Sequence, residues 1–282
     1  MPTSVMDQLM VDAETLFSLP DVYLRIRETI DDPGAGLADI AGIISLDPAL
    51  SARFLRIANS AMFGLRNDIT SVTHAVNLIG ARLIHDIVLA TSIAELFDGM
   101  SDCHMDVARF WQDSVKLAVT SKATVLTLDL PGSETLFMHG LLADIGHMVI
   151  YQKLPGLAQQ AFERAANNCR PVHLVEREMF GIDHAEVGGA LADLWQLPPE
   201  LADCIRYQYR PEADAVLAQD IAVVNVARYV AFSWRDGLTT IHPGISRILA
   251  VTAEQMQVIR DSGEEMLAEA MQSFALRSRR AA

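Results

Sequence analysis

The chain has 282 residues, of which 36 are acidic and 22 basic, giving a formal charge of 22 − 36 = −14, and 51% are hydrophobic. A mean hydropathy of +0.22 excludes a disordered chain, which would be too poor in Leu, Ile, Val and Phe to bury a core. The negative balance argues against nucleic-acid backbones and anionic membrane surfaces as partners, since both require clustered Lys and Arg, and the basic run Arg277, Arg279, Arg280 reads as a solvated tail. Single cores stop growing at roughly 250–300 residues, so two helical subdomains are expected. Cys103, Cys169 and Cys204 are odd in number and lack CxxC spacing, which predicts neither a disulfide framework nor a structural zinc site and fits a reduced cytoplasm. Residues 1–12 carry Asp7 and Asp12 and lack the basic and apolar regions of a signal peptide. No window reaches about 18 uninterrupted apolar residues, so no membrane span is expected.

In chain order, apolar residues recur at helical spacing with no run of period-two alternation, which predicts an all-α fold. Asp47 before Pro48 places a capping acceptor ahead of a first-turn proline, and the helix 49–59 then carries Leu50, Phe54, Leu55 and Ile57. Ser71 caps a helix over 72–79, Gly80 breaks it, and a helix over 81–97 turns Leu83, Ile84, Ile87, Val88 and Ile93 inward. The short polar stretch 98–102 marks a boundary. The predicted organisation is therefore an N-terminal helical subdomain over 1–99, a second over 100–235 and a C-terminal helical extension over 236–282. In the second subdomain, helices are predicted over 110–128, 134–152 and 156–168, then over 172–180, 184–196, 200–207 and 216–233. Thr252 and Gln255 have capping-box spacing and start a last helix. Its apolar stripe, Met256, Val258, Ile259, Met266, Leu267, Met271 and Phe274, docks on its own domain or, alternatively, forms a homodimer seam.

The stretch His139-Gly-Leu-Leu-Ala-Asp-Ile-Gly-His147 carries the most chemistry. Asp144 and His147 are i, i+3 on one predicted helix face and can present two metal ligands, whereas His139 lies about 12 Å away along the axis. The plainer reading makes Asp144 an acceptor for nearby donors and leaves His147 at the surface.

Several stretches together resemble the HD superfamily of metal-dependent phosphohydrolases, and more closely its HDOD branch, the HD-related output domain of bacterial signalling. They are Leu19-Pro20; Asp47-Pro48 through Asn59-Ser60; Ile69 to Gly80; Phe110-Trp111; Asp144 with Gly146; and His184-Ala-Glu186-Val-Gly188 with Leu191, Trp195 and Leu197-Pro198. Coverage is about residues 12–235. The resemblance implies a second subdomain that is HD-like. Where the superfamily pattern His…His-Asp…Asp has its first His, this chain has Asp113 followed by Ser114; at the His-Asp pair it has Ala143 and Asp144. Paired histidines after the Leu-Pro turn are replaced by Gln208 and Tyr209, and no carboxylate stands in the helix around Asn225 to Arg228, where the final Asp belongs. One ligand of the pattern survives, whereas a catalytic metal needs about three protein ligands and an open position for water.

The expectation is a non-enzymatic signalling module with no catalytic residue and no cofactor, whose partner is a protein or a small signal. The alternative is a metal-dependent phosphohydrolase acting on nucleotides or cyclic dinucleotides, with a divalent ion on Asp113, Asp144 and His147 or His184. A third reading, a receptor for a nucleotide second messenger, would use Arg53, Arg56, Arg82 or Arg206 on phosphates, although scattered arginines are ordinarily surface charge. His85-Asp86 reads as a surface pair, and Cys103-His104, being adjacent, cannot face each other on a helix. His184 with Glu186 forms a polar cluster able to reach Asp144.

Overall fold

The computed structural model describes residues 4–11, 13–59, 69–98, 105–211, 216–233, 241 and 243–273, and every regular element among them is a helix. Ser60, Cys103, His104 and Phe274 fall outside the described residues. Two compact units are formed, one from residues 18–101 and 265–282, the other from residues 1–17 and 102–264. The short helices α1 (Val5–Met10) and α2 (Ala13–Leu16) open the chain and belong to the second, larger unit. Leu9, Ala13 and Phe17 are buried there, and the Trp195 indole N–H donates to the Phe17 carbonyl at 2.6 Å. That burial is why the first seventeen residues are not part of the subdomain whose local patterning begins the chain.

The smaller unit contains α3 (Asp21–Asp31), α4 (Leu37–Ser45), α5 (Pro48–Ala58) and α6 (Val72–Asp98). Asp47 Oδ1 accepts from the amides of Ala49 at 2.8 Å and Leu50 at 3.0 Å, and Pro48 takes the first helical position, where its missing N–H has no partner to lose. Leu50, Phe54 and Ile57 then point inward. Asn59 accepts from the Ile69 amide at 2.7 Å and donates to the Ile69 carbonyl at 2.8 Å, tying the start of the next segment to the end of α5. Ser71 Oγ accepts from the His74 amide at 3.2 Å to begin α6, and Gly80 interrupts that helix at φ 77°, a backbone angle that favours glycine. By length and composition Val72–Leu96 could cross a membrane, but half of its most apolar window is buried, as in the core helix of a unit where α3, α4 and α5 all pack on it. His85 and Asp86 are not a simple surface pair, because His85 Nε2 lies 2.9 Å from the buried Tyr23 hydroxyl and both side chains are more than four-fifths covered.

The larger unit is built on α7 (Val107–Thr127), capped by Asp106 and buried along most of its length. Around it stand α8 (Ser133–Leu142), α9 (Gly146–Lys153), α10 (Pro155–Asn167), α11 (Val172–Phe180), α12 (His184–Leu194), α13 (Pro199–Tyr207), α14 (Ala218–Phe232) and α15 (Pro243–Ile248). Helices α8 and α14 pack on α7, while α9 and α13 pack on α12. Gly140 allows the first of these contacts, since a methyl there would stand 2.7 Å from Ser121 Oγ and 2.9 Å from the Leu117 carbonyl. Thr252 and Gln255 form the reciprocal capping bonds, at 2.9 and 3.2 Å, that start α16 (Ala253–Ser273). Ile259 of that helix is buried and Gly263 lies against Thr120 of α7, so this part of the apolar stripe docks within its own unit.

Candidate functional site

The single helix predicted over 134–152 is two helices in the structure, α8 and α9, parted by a tight turn at Ala143, Asp144 and Ile145. The amides of Ile145, His147 and Met148 each bond the carbonyl three residues back, at 3.1, 3.0 and 3.1 Å, which is 3₁₀ geometry. Tertiary packing accounts for the break. A methyl on Gly146 would fall 1.9 Å from the His184 carbonyl oxygen and 2.6 Å from the Gly188 nitrogen, so the backbones of α9 and α12 touch there. Gly146→Ala is expected to destabilise the protein at or beyond the upper end of about 1–3 kcal/mol, because rigid backbone rather than a flexible side chain must give way. Gly42→Ala in α4, where no atom lies within 4 Å of the added methyl, should be neutral or stabilising in the same denaturation series.

The turn lifts Asp144 toward α14. Its two carboxylate oxygens accept from both terminal nitrogens of Arg228, Oδ2 from Nη1 at 3.0 Å and Oδ1 from Nη2 at 2.8 Å. Arg228 Nη2 also donates to Gln208 Oε1 at 2.7 Å, and the Gln208 amide nitrogen donates to the Ala143 carbonyl at 2.6 Å. Gln208 therefore orients the guanidinium and closes the turn at once. Asn225 of α14 donates to the Gln208 carbonyl and keeps that residue against the helix. Burial pushes the Asp144 carboxyl up, but Arg228 and then His184 outweigh it and hold the group well below the usual carboxylate range.

Behind this pair, His184 opens α12. Asp183 caps the helix by accepting from the Glu186 amide at 3.0 Å, and Arg177 donates to Asp183 at 2.7 Å. His184 Nδ1 is 2.7 Å from Glu176 Oε2, its backbone amide donates to the same oxygen at 3.0 Å, and its Nε2 stands 3.0 Å from the Tyr209 hydroxyl and 3.4 Å from Asp144 Oδ1. His147 stacks on the His184 ring at 3.8 Å and places Nδ1 3.2 Å from the other oxygen of Glu176. Burial opposes charge on His184, but the Tyr209 oxygen, Glu176 and Asp144 outweigh it, so its pKa lies well above the ordinary imidazole value and the ring is an imidazolium. His147 is driven the other way by burial and by the charged ring beside it, and stays neutral. Burial and the same imidazolium push His173, stacked on Tyr209 at 3.7 Å, down to about 3. Burial of Glu176 is outweighed by the two histidines it joins, which keep it ionised.

His147 is thus buried rather than at the surface, because the break after α8 turns α9 inward. Asp144, His147 and His184 each bring one ligand atom to within 4.8 Å of the others, whereas Asp113 is held by Arg109 on α7 at 3.4 Å and is not in that group. His139 is buried on α8, 3.8 Å from Asp220. Glu186 serves α12 as the carboxylate of its capping box and pairs with Arg177 and Arg210, without joining Asp144 directly among the described contacts. Sequence reasoning missed Arg228 and Glu176. A usable sign of the first was present: an arginine in the helix that should carry the last acidic ligand. Glu176 sits on a different helix from His184 and offered no local pattern.

These side chains do not fit a catalytic metal. Arg228 already places a fixed positive charge against Asp144, the carboxylate that a divalent ion would need. Both Asp144 oxygens are committed, and Glu176 is 2% exposed behind the histidines.

Comparison with known proteins gives a consistent relationship. The sequence pattern of the HDOD domain matches residues 16–211, more than half of the chain. An uncharacterized protein of Treponema pallidum (strain Nichols) is 27% identical over 220 residues, and the match spans 41% of that relative's length. An HDOD domain protein with unknown function from Geobacter sulfurreducens superimposes with a TM-score of 0.72 at 23% identity, covering 97% of this chain and 100% of that one. A protein from Shewanella amazonensis SB2B that carries a provisional phosphohydrolase name superimposes at 0.71 with 24% identity, covering 93% and 97%.

Proposed function

The chain belongs to the HDOD domain family, and we propose that it is a non-catalytic regulatory member that works in the cytoplasm by binding a protein partner or a small signal such as a nucleotide second messenger. The observation that carries this reading is the two-pronged bond between Arg228 and Asp144. It consumes the one acidic ligand that the HD pattern retains in this chain, and a guanidinium can neither polarise a phosphoryl oxygen as a Lewis acid nor be deprotonated near neutral pH.

The second reading is a metal-dependent phosphohydrolase acting on nucleotides or cyclic dinucleotides, favoured by the convergence of Asp144, His147 and His184. The two readings separate on metal content. Protein purified without chelator or metal-affinity resin, incubated with Mn²⁺, Fe²⁺, Zn²⁺ or Mg²⁺ and desalted, is expected to retain no stoichiometric ion and to leave nucleotide phosphoesters intact. Retention of about one ion per chain that disappears in Asp144→Ala would overturn the regulatory reading in favour of the hydrolase.

A further inference from the structure

We infer that the Arg228 guanidinium replaces the divalent cation of the HD pattern as a built-in, non-exchangeable charge, and that removing it uncovers a latent metal site formed by Asp144, His147 and His184. The inference rests on the regulatory reading above and deepens it. Arg228 comes from α14, the helix in which the HD pattern places its last acidic ligand. Its two nitrogens approach both oxygens of Asp144 at 2.8 and 3.0 Å, so the charge lies where the carboxylate points. Gln208, which stands where the pattern has a histidine, accepts from the same guanidinium and anchors to the Ala143 carbonyl, so the former ligand positions have become the cradle of the arginine.

Charge and geometry give the substitution its consequence. With Arg228 present, a divalent ion would meet a fixed positive charge at its best ligand, both oxygens of Asp144 being bonded to the guanidinium. Without Arg228 that fixed charge is gone, and an Asp oxygen and two imidazole nitrogens remain within 4.8 Å of one another, His184 releasing a ring proton to solvent as the ion binds. That donor set suits Zn²⁺, Co²⁺ or Mn²⁺ better than Mg²⁺. The Asp144 side chain is 19% exposed, which leaves an ion a way in.

The test compares wild type, Arg228→Ala, Arg228→Lys and the double variant Arg228→Ala/Asp144→Ala, each incubated with Zn²⁺ or Mn²⁺, desalted, and followed by elemental analysis and thermal melting. Expected are no retained metal in wild type or Arg228→Lys, about one ion per chain in Arg228→Ala with recovery of most of the lost melting temperature, and none in the double variant. If Arg228→Ala does not fold alone, refolding with Zn²⁺ present is expected to restore it. A folded Arg228→Ala without uptake, uptake indifferent to Asp144, or no recovery with any of these metals overturns the inference and leaves the regulatory reading standing. Stoichiometric metal in the wild-type chain sinks that reading too, and shows itself before any substitution is made.

Discussion

Asp144→Ala is expected to destabilise the folded protein by about 3–5 kcal/mol, more than the roughly 1–3 kcal/mol that a lost neutral partner would cost. The difference arises because Arg228, whose side chain is 9% exposed, keeps its charge and loses both acceptors, while Gln208 can satisfy only part of the guanidinium. His184 also loses one of the two carboxylates that stabilise its imidazolium. Asp144→Asn should fall between wild type and alanine, since it keeps an acceptor oxygen but no charge. Replacing both partners with apolar side chains of similar volume, Asp144→Leu with Arg228→Met, should recover most of the loss, because the desolvation of both charges is then avoided. Urea denaturation of the four proteins measures this directly. A cost below about 1 kcal/mol for Asp144→Ala would mean that water solvates Arg228 as well as the carboxylate does, and that the pair is not a structural element.

Stability is expected to peak near pH 6.5 and to fall on both sides for different reasons. His147 and His173 are neutral in the fold, with pKa values below their ordinary 6.5, so the unfolded chain takes up protons that the native one refuses as the pH drops. Their contribution is present above about pH 6.5 and is lost on acidification. Two such protons correspond to a limb of about 2–3 kcal/mol per pH unit. Asp144 and Glu176 steepen the loss once the unfolded carboxylates begin to protonate, from ordinary values of 3.8 and 4.5. His184 acts in the opposite sense. Its folded pKa is raised, so its contribution is complete below about 6.5 and disappears as the pH climbs through the folded value. His173→Phe keeps the stack on Tyr209 while removing one titrating ring, and should reduce the slope of the acid limb by about half. Melting temperatures of both proteins from pH 4.5 to 9 test this, and an unchanged acid limb would show that the fold does not lower the His173 pKa.

The sequence alone determined what rests on local rules. Its all-α character follows from uninterrupted helical periodicity. The Asp47-Pro48 cap, the break at Gly80 and the Thr252–Gln255 box involve residues at most a few positions apart, so their bonding partners could be read from spacing. The family was legible because its motifs are themselves local. What only the tertiary structure decided involves separations of tens of residues or more. The break between α8 and α9 is invisible to periodicity because it is imposed by backbone contact with α12, some forty positions later. The pairing of Asp144 with Arg228 spans 84 residues, and nothing in either neighbourhood announces the other. The same holds for His184, whose partners Glu176, Tyr209 and Asp144 come from three separate stretches of the chain. Counting absent ligands could show that the HD pattern was incomplete. Long-range packing decided that an arginine stands against its surviving aspartate, because a buried carboxylate must find a counter-charge in space wherever the fold provides one.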